Sequence, residues 1–407
     1  MITIKKSNSV IKVSVPLTPS KSITNRLLII RSLCREQFSI LNSATAIDCV
    51  ILDKILSYSD ESLDCGDSGT AFRFLTAYLS VNSGVYILTG SERMKSRPIG
   101  PLVEALKSMG ADISYLEKVG YPPLKIIGKK IVGGNVCIDA SQSSQYISAL
   151  LLIAPMLEGG LKIELTGKIN SRPYIIMTLS LMHLFGISFK TEGNFITISE
   201  GKYTSCNITV ENDWSSASFW YLIAALSDES TIELKGLCRN SIQGDSIIAS
   251  IMTRFGIQTE FIEEGIVITR HPDSLMPISF EYDFSSCPDL VIPVAVLCAT
   301  KGIVAELKGV KNLRIKESDR LEALKQELAK TGAEIEIQDD SFFIRAGKSE
   351  RTVIDFHSHN DHRIVMSLAP LALMYDYITI DEHIPVNKSY PDFWKHFSSA
   401  EFDCAVT

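Results

Sequence analysis

Long apolar runs are missing from this sequence. No uncharged apolar run approaches the roughly eighteen residues of a membrane-spanning helix, and the richest, Leu150 to Leu157, is far too short. The N-terminus, MITIKKSNSVIKVSV, alternates like a strand and has no apolar core of a secretory signal, so a reducing cytoplasm is the expected compartment. Paired cysteines are also missing: the nine Cys are odd in number and scattered without a CxxC, which argues against a disulfide framework or a structural zinc site. There is no excess of positive charge, since Lys+Arg is 40 against Asp+Glu 47, a formal net charge of −7. A general nucleic-acid coat would need a basic face to displace counterions. A small anionic ligand is still open, because a few cations can gather inside an acidic surface. Nor is there a GxxxxGK[ST] phosphate loop; Arg73 in GDSGTAFR does not replace its Lys.

What remains is globular: 407 residues, 45% apolar, long enough for two domains of about 200 residues each. The chain also keeps a ruler. Four segments share the order apolar strand, Gly, loop, amphipathic helix, Gly, alternating strand. Their glycine pairs are Gly90 and Gly110, Gly167 and Gly186, Gly236 and Gly256, Gly309 and Gly332, spaced 20, 19, 20 and 23 residues. Weaker copies near IDCVILDKIL and SYPDFWKHF bring the total to six. Each unit also owns a more apolar helix that opens on a short polar segment, at Ser20, Asp67, Gln142, Asp213, Pro288 and Asn360; four of the five intervals are 71 to 75 residues and the first is 47. A helix apolar on most faces must be enclosed, and small sheets with a surface helix can enclose it. Six such units predict two similar α/β domains of three units with a cleft between them, in preference to a solenoid.

Helix starts are anion sites, because their N–H groups are free and the helix dipole favours negative charge. At these starts the unusual side chains collect. PSKSITNR holds Lys21, Ser22 and Arg26; GDSGTAFR holds Gly66, Gly69, Thr70 and Arg73; QSSQY holds Ser143, Ser144 and Gln145. The matching loops SRPIG and NSRPY add Arg97, Ser171, Arg172 and Tyr174. The densest segment, NLRIKESDR, carries Asn312, Arg314, Lys316, Glu317, Asp319 and Arg320, and Lys316 would face Arg320 if the helix has already begun. Asp289 precedes an apolar helix, NDHR supplies Asn360, Asp361, His362 and Arg363, and Lys388 lies in the last repeat's loop. Each segment taken alone also reads as a capped helix with solvated charges. HSHNDH admits a metal reading, although HxH without HExxH or Cys is a loose pattern. Together, Lys21, Arg26, Arg97, Arg172, Lys316, Arg320, Arg363 and Lys388 suit a ligand with several negative charges.

In that order the segments PSKSITNR, GDSGTAFR, MKSRPIG, SSQ, SRPY, PD, NLRIKESDR, NDHR and KSYPDF resemble the 5-enolpyruvylshikimate-3-phosphate synthase family over nearly the whole chain. The resemblance implies the inside-out α/β barrel of the enolpyruvyl transferases, two similar domains each of three βαβαββ-like repeats around buried helices. Residues 1–19 plus 213–407 would form one discontinuous domain and 20–212 the other, with the active site in the interdomain cleft. The implied reaction transfers the carboxyvinyl group of phosphoenolpyruvate to the 5-hydroxyl of shikimate 3-phosphate and releases phosphate, on the route to chorismate and aromatic amino acids. By motif position, shikimate 3-phosphate would be held by Lys21, Ser22, Arg26, Ser143, Ser144, Gln145, Ser171, Tyr174, Asp289, Asn312 and Lys316. Phosphoenolpyruvate would meet Lys21, Gly69, Arg97, Gln145, Arg320, Arg363 and Lys388.

Asp289 is expected to be the base, Glu317 a proton donor or relay, and Lys21 and Lys388 the cations that stabilise developing charge. The resemblance implies no cofactor, no metal, no nucleic-acid or membrane partner, and a cytoplasmic monomer. Asp67, Ser68 and Phe74 stand where the family usually has Asn, Ala and Pro, while Gly69 is retained at a place where a methyl group crowds the inhibitor glyphosate. UDP-N-acetylglucosamine enolpyruvyl transferases share the fold and donor but carry a reactive Cys shortly before the Arg matching Arg97, and GSERMKSR has none. A catalytically inactive binding protein on the same fold is the remaining alternative.

Overall fold

In a computed structural model the described residues are 1–406 apart from 7, 58–60, 346, 348 and 349. The chain divides into two compact units, Met1–Pro19 with Glu211–Thr407, and Ser20–Val210. Glu211 and Asn212 belong to the first unit because of their partners. Glu211 accepts from the Trp214 indole at 2.9 Å and the Cys238 amide at 2.9 Å, and the Asn212 amide donates to the Gly236 carbonyl at 2.9 Å.

A single grammar recurs. In one repeat the strand Ser62–Asp64 leads to the buried helix Gly69–Val81, the strand Gly84–Thr89, the surface helix Gly100–Ser108, and a hairpin of Asp112–Tyr115 and Leu124–Gly128. The first two strands are parallel and the hairpin adds two antiparallel ones. The same order holds for the sheets built on Val132–Asp139, Val10–Pro16 and Ser279–Asp283. The sheet begun by Val353–Phe356 and Tyr377–Ile380 has no hairpin of its own and takes Ile2–Lys5 and Asp403–Val406 instead, so both ends of the chain complete it.

The repeat that opens at Ser20 departs from the ruler. After the surface helix Ile47–Ser57 the chain reaches the next repeat's strand at Ser62, leaving no length for a hairpin. Only Ile40–Leu41 pairs with Ile208–Thr209, in the one two-stranded sheet among the described residues. That is the cause of the short first interval of 47 residues.

Each unit encloses three helices. In the first these are Trp214–Leu226, Val291–Thr300 and His362–Leu368, packed on one another. Every residue of Trp214–Leu226 except Ser215 is buried, and Asp213 caps it by accepting from the Ser216 amide at 3.1 Å. The strand Glu229–Lys235 turns Ser230, Ile232 and Leu234 inward, and in register beside it Ile266 and Ile268 do the same. Period-two burial in the strands thus covers a helix apolar all round, and each enclosed Leu or Ile side chain contributes about 2 kcal/mol of transfer free energy. The second unit encloses Lys21–Leu33, Gly69–Val81 and Ser144–Ile153 in the same way.

The ruler's glycines have a backbone reason. Gly110, with φ +92°, and Gly309, with φ +76°, both sit in the left-handed region. A Cβ on Gly110 would meet nothing within 4 Å, whereas on Gly309 it would lie 2.4 Å from the Ser285 amide nitrogen. Gly110→Ala should therefore cost only the left-handed penalty, about 1–2 kcal/mol, and Gly309→Ala clearly more, because backbone must move. Urea unfolding of the two variants checks this; equal losses would show that the crowding at Ser285 is without consequence.

Candidate functional site

In the first unit the site is built around one buried arginine. Asp319 caps the helix Arg320–Ala329 by accepting from the Glu322 amide at 3.2 Å, so Arg320 is its first residue. The segment before it is a 3-10 turn, Lys311–Ile315, followed by Lys316 in extended backbone. The expected Lys316–Arg320 helical face therefore does not exist: the helix starts too late to contain Lys316. Arg320 is instead 2% exposed and surrounded by carboxylates. Its Nε donates to Asp361 at 2.8 Å, Nη1 to Asp289 at 3.0 Å and Nη2 to Glu317 at 2.9 Å. Burial disfavours its charge, but Asp361, Glu317 and Asp289 more than compensate and hold it firmly protonated.

The carboxylates extend this centre to the other cations. Asp289 follows Pro288 in a 3-10 turn that opens the helix Val291–Thr300, and its side chain does not cap that helix. One oxygen takes Arg320, and the other takes Arg363 Nη2 at 3.0 Å. Burial pushes the Asp289 carboxyl up, yet Arg363, Lys316 and Arg320 outweigh burial and hold it well below the usual carboxylate range. Glu317 joins Arg320 to Lys388, whose Nζ lies 3.4 Å away at the end of the turn Ile384–Lys388. Asp361 caps His362–Leu368 by accepting from the Arg363 amide at 3.0 Å while it binds Arg320, so a single carboxylate fixes both arginine-bearing helices. Asn312 is buried in the Lys311–Ile315 turn, and its Oδ1 has no partner among the described residues. His357 and His359, the metal candidates, face carboxylates: His357 Nδ1 lies 3.0 Å from Asp381 and His359 Nε2 lies 2.8 Å from Glu327.

Sequence reasoning passed over Asp245. It is the second residue of a 3-10 turn, Gly244–Ile247, and is 2% exposed; one oxygen accepts from the Ser215 hydroxyl, and Oδ1 is buried without a partner among the described residues. Burial, then the Asp289 charge, pushes this carboxyl up to about 7, against the pull of Arg363. Its one signal was position, since NSIQGD occupies the same strand-to-helix loop that supplies Arg97 and Arg172 elsewhere.

In the second unit the candidates again gather at helix starts. Lys21 opens Lys21–Leu33 behind the Ser20 cap, and its Nζ lies 3.2 Å from Asp48, a buried carboxylate that sequence reasoning also missed. Arg26 lies deeper than a capping cation would. It is buried, donates to the Thr178 and Ser148 hydroxyls and to the Ser22 and Tyr174 carbonyls, and lies 5.5 Å from the centre of the Phe74 ring. Burial pushes its pKa down to about 10. Phe74 thus supplies a ring to a buried guanidinium.

Gly69 starts its helix beside two arginines: a Cβ there would lie 2.5 Å from Arg73 Nη1 and 2.6 Å from Arg97 Nη1. Arg73 donates to the Gly69 carbonyl at 2.9 Å and to the Pro98 carbonyl at 3.2 Å, which ties the Arg97 loop to the glycine turn. Asp67 accepts from Ser91, the cap of the short helix Glu92–Lys95, and Ser68 caps its own helix through the Ala71 amide. Ser143 caps Ser144–Ile153, and Gln145 donates to Thr70 at 2.9 Å, joining two of the candidate segments. Ser171 has φ +56°, rare for a residue with a side chain, and begins the helix on which Arg172 is exposed and Tyr174 half-buried. A left-handed serine at a candidate ligand site is the kind of local strain that accompanies function.

Because the folded state keeps Asp245 protonated above its ordinary value near 3.8, its contribution to stability is complete below that pH and lost as pH rises through about 7. Asp245→Asn removes the titration, so its melting temperature relative to the parent should rise steadily between about pH 4 and pH 8. A pH-independent difference, measured by calorimetry, would contradict the raised value.

With this geometry in view, comparisons with known proteins point one way. The family model described as EPSP synthase (3-phosphoshikimate 1-carboxyvinyltransferase) matches residues 50–397. A 3-phosphoshikimate 1-carboxyvinyltransferase of Bacteroides fragilis is 42% identical over 401 residues, covering 98% of this chain and 97% of that one. One of Methanospirillum hungatei is 34% identical, with 93% of each chain covered. Among solved structures, the EPSP synthase of Acinetobacter baumannii superposes with a TM-score of 0.80 at 22% identity over 100% of this chain and 99% of that one. The enolpyruvyl transferase NikO of Streptomyces tendae gives 0.77 at 13% identity, over 100% and 98%. These last two speak to the fold, which is the two-domain enolpyruvyl transferase fold. Buried cations on a six-repeat scaffold, and sequence identity above 40% along almost the whole length, lead to one conclusion: the chain belongs to the EPSP synthase (3-phosphoshikimate 1-carboxyvinyltransferase) family.

Proposed function

We propose that this protein transfers the carboxyvinyl group of phosphoenolpyruvate to the 5-hydroxyl of shikimate 3-phosphate and releases inorganic phosphate. The observation that carries the reading is Asp289 held between Arg320 and Arg363, with Glu317 between Arg320 and Lys388. Such a centre offers a polyanion a set of cations already in place and held by carboxylates. Phosphate and carboxylate groups of the donor take over Nη and Nζ donors now spent on Asp289 and Glu317. Losing those cations raises the basicity of Asp289, which is ionised at neutral pH and can then take the 5-hydroxyl proton.

The hydroxyl oxygen forms a bond to C2 of phosphoenolpyruvate as a proton is added to the methylene C3. The tetrahedral adduct then loses a proton from the new methyl group and expels phosphate, restoring the double bond. Glu317, between two cations, is the group proposed to move the C3 proton, while Lys388 and Lys21 stabilise the charge on the leaving phosphate. Lys21, Ser22, Arg26, the Ser143–Gln145 start, Ser171, Tyr174, Asp289, Asn312 and Lys316 are assigned to shikimate 3-phosphate. Lys21, Gly69, Arg97, Gln145, Arg320, Arg363 and Lys388 are assigned to phosphoenolpyruvate. Free cysteines and a net charge of −7 fit a cytoplasmic monomer acting on small molecules.

Phosphate release tests the reaction directly. Release from phosphoenolpyruvate should require shikimate 3-phosphate and should not occur with UDP-N-acetylglucosamine; the reverse pattern, or none with either, would overturn the reading. Glyphosate is expected to compete with phosphoenolpyruvate. Because a methyl on Gly69 would displace the Arg97 guanidinium, Gly69→Ala should raise the KM for phosphoenolpyruvate by about tenfold and the glyphosate inhibition constant by more. Unchanged constants would dissociate Arg97 from the donor.

A further inference from the structure

The helix Arg320–Ala329 grips the arginine-bearing segment 357–368 at two points, and only one of them belongs to the site described above. Arg320 at its start holds Asp361. Seven residues later, on the same face of the helix, Glu327 holds the chain just before Asp361. Glu327 is 1% exposed. Its Oε2 accepts from the His357 amide at 2.9 Å and from Lys330 Nζ at 2.6 Å, and its Oε1 lies 2.8 Å from His359 Nε2. Lys330 in turn donates to the Asp355 carbonyl at 3.0 Å.

The segment so held is unusual backbone. His359 and Asn360 are consecutive non-glycine residues at φ +50° and +51°, a conformation that side chains with a Cβ disfavour and that persists only where the surroundings impose it. Asp381 secures the other edge, accepting from the Ser358 amide at 2.7 Å and facing His357 Nδ1 at 3.0 Å. The Asp361 amide then donates to the Ser358 carbonyl at 3.0 Å, so the turn's shape decides where Asp361 begins its helix and hence where Arg363 points. Neither a metal nor a substrate role for the two histidines is needed to account for their places.

We propose that Glu327 is a positioning residue for carboxyvinyl transfer: through His357 and His359 it holds the left-handed turn that aligns Asp361 and Arg363 with Arg320 and Asp289. This rests on the assignment of Arg363 and Arg320 to phosphoenolpyruvate. A clamp of this kind acts on donor binding, since the groups it aligns bind the donor's charges. A merely structural residue would alter stability and leave the constants of the folded fraction alone.

The test is steady-state kinetics of the full chain with both substrates, by phosphate release, for the parent, Glu327→Ala, Glu327→Gln and His359→Asn, with circular dichroism to verify folding. Glu327→Ala should raise the KM for phosphoenolpyruvate about tenfold or more, with kcat within about threefold of the parent. Glu327→Gln should stay within about threefold in both, because its amide oxygen still accepts from the His357 amide and its NH2 can face the other tautomer of His359. If Glu327→Ala does not fold, His359→Asn, which tolerates left-handed backbone but is too short to reach Glu327, should still raise that KM about threefold. A folded Glu327→Ala variant with an unchanged KM, a fall in kcat alone, or an unaltered His359→Asn would overturn the proposal. Inactivity of the parent would sink the reaction assignment itself and with it any role for Glu327 in that reaction, an outcome separate from the other three.

Discussion

A guanidinium with 2% exposure, Arg320, is the constraint on which the first unit's functional end depends. A buried cation is tolerable only with partners, and here three carboxylates from three separate segments supply them: Asp289, Glu317 and Asp361. Each partner carries a second duty. Asp289 holds Arg363, Glu317 holds Lys388, and Asp361 caps the helix on which Arg363 lies. Removing the central charge would take the arginine from the buried Asp361 and leave Asp289 and Glu317 with one cation fewer each, at a cost of about 3–5 kcal/mol. Folding and the proposed ligand binding would therefore draw on the same ion pairs.

The repeat architecture explains why such residues can be recruited from so far apart in sequence. Every repeat delivers two helix starts, one enclosed and one on the surface, and the sheet beneath fixes both. Enclosing an apolar helix on all sides demands a well-packed jacket, and that jacket makes the helix start a rigid platform. Gly69 shows how tight the platform is, with two arginines against its Cα and Arg73 bridging its carbonyl to that of Pro98. The second unit uses the same device with fewer acids, and Lys21 beside Asp48 repeats on a small scale what Arg320 does among three.

Much of this was legible in the chain itself. The glycine spacing announced the repeat, because a strand, a helix and a left-handed stop have fixed lengths, and the polar residues did prove to lie at the starts of apolar helices. The shortened repeat at Ser20 was visible as an interval of 47 residues, although its consequence, a two-stranded sheet, was not. What stayed hidden was pairing. Lys316 and Arg320 have helical spacing, yet Asp319 caps the helix and separates them. Asp48, Asp245 and Glu327 look like ordinary surface acids until the fold buries them against Lys21, Ser215 and His359. His357 and His359 of HSHNDH offered metal-ligand chemistry in sequence, but their neighbours proved to be carboxylates from distant segments. Arg73 was equally unreadable, since its hydrogen bonds to Gly69 and Pro98 run to main-chain carbonyls, which every residue possesses.

The claim that a forked, buried arginine rather than a positive charge alone organises the site is tested most directly by Arg320→Lys, which keeps the charge and loses the geometry. One Nζ cannot reach Asp289, Glu317 and Asp361 together, so the folded variant should lose about a hundredfold or more in kcat/KM for phosphoenolpyruvate. A variant within about threefold of the parent would contradict the account.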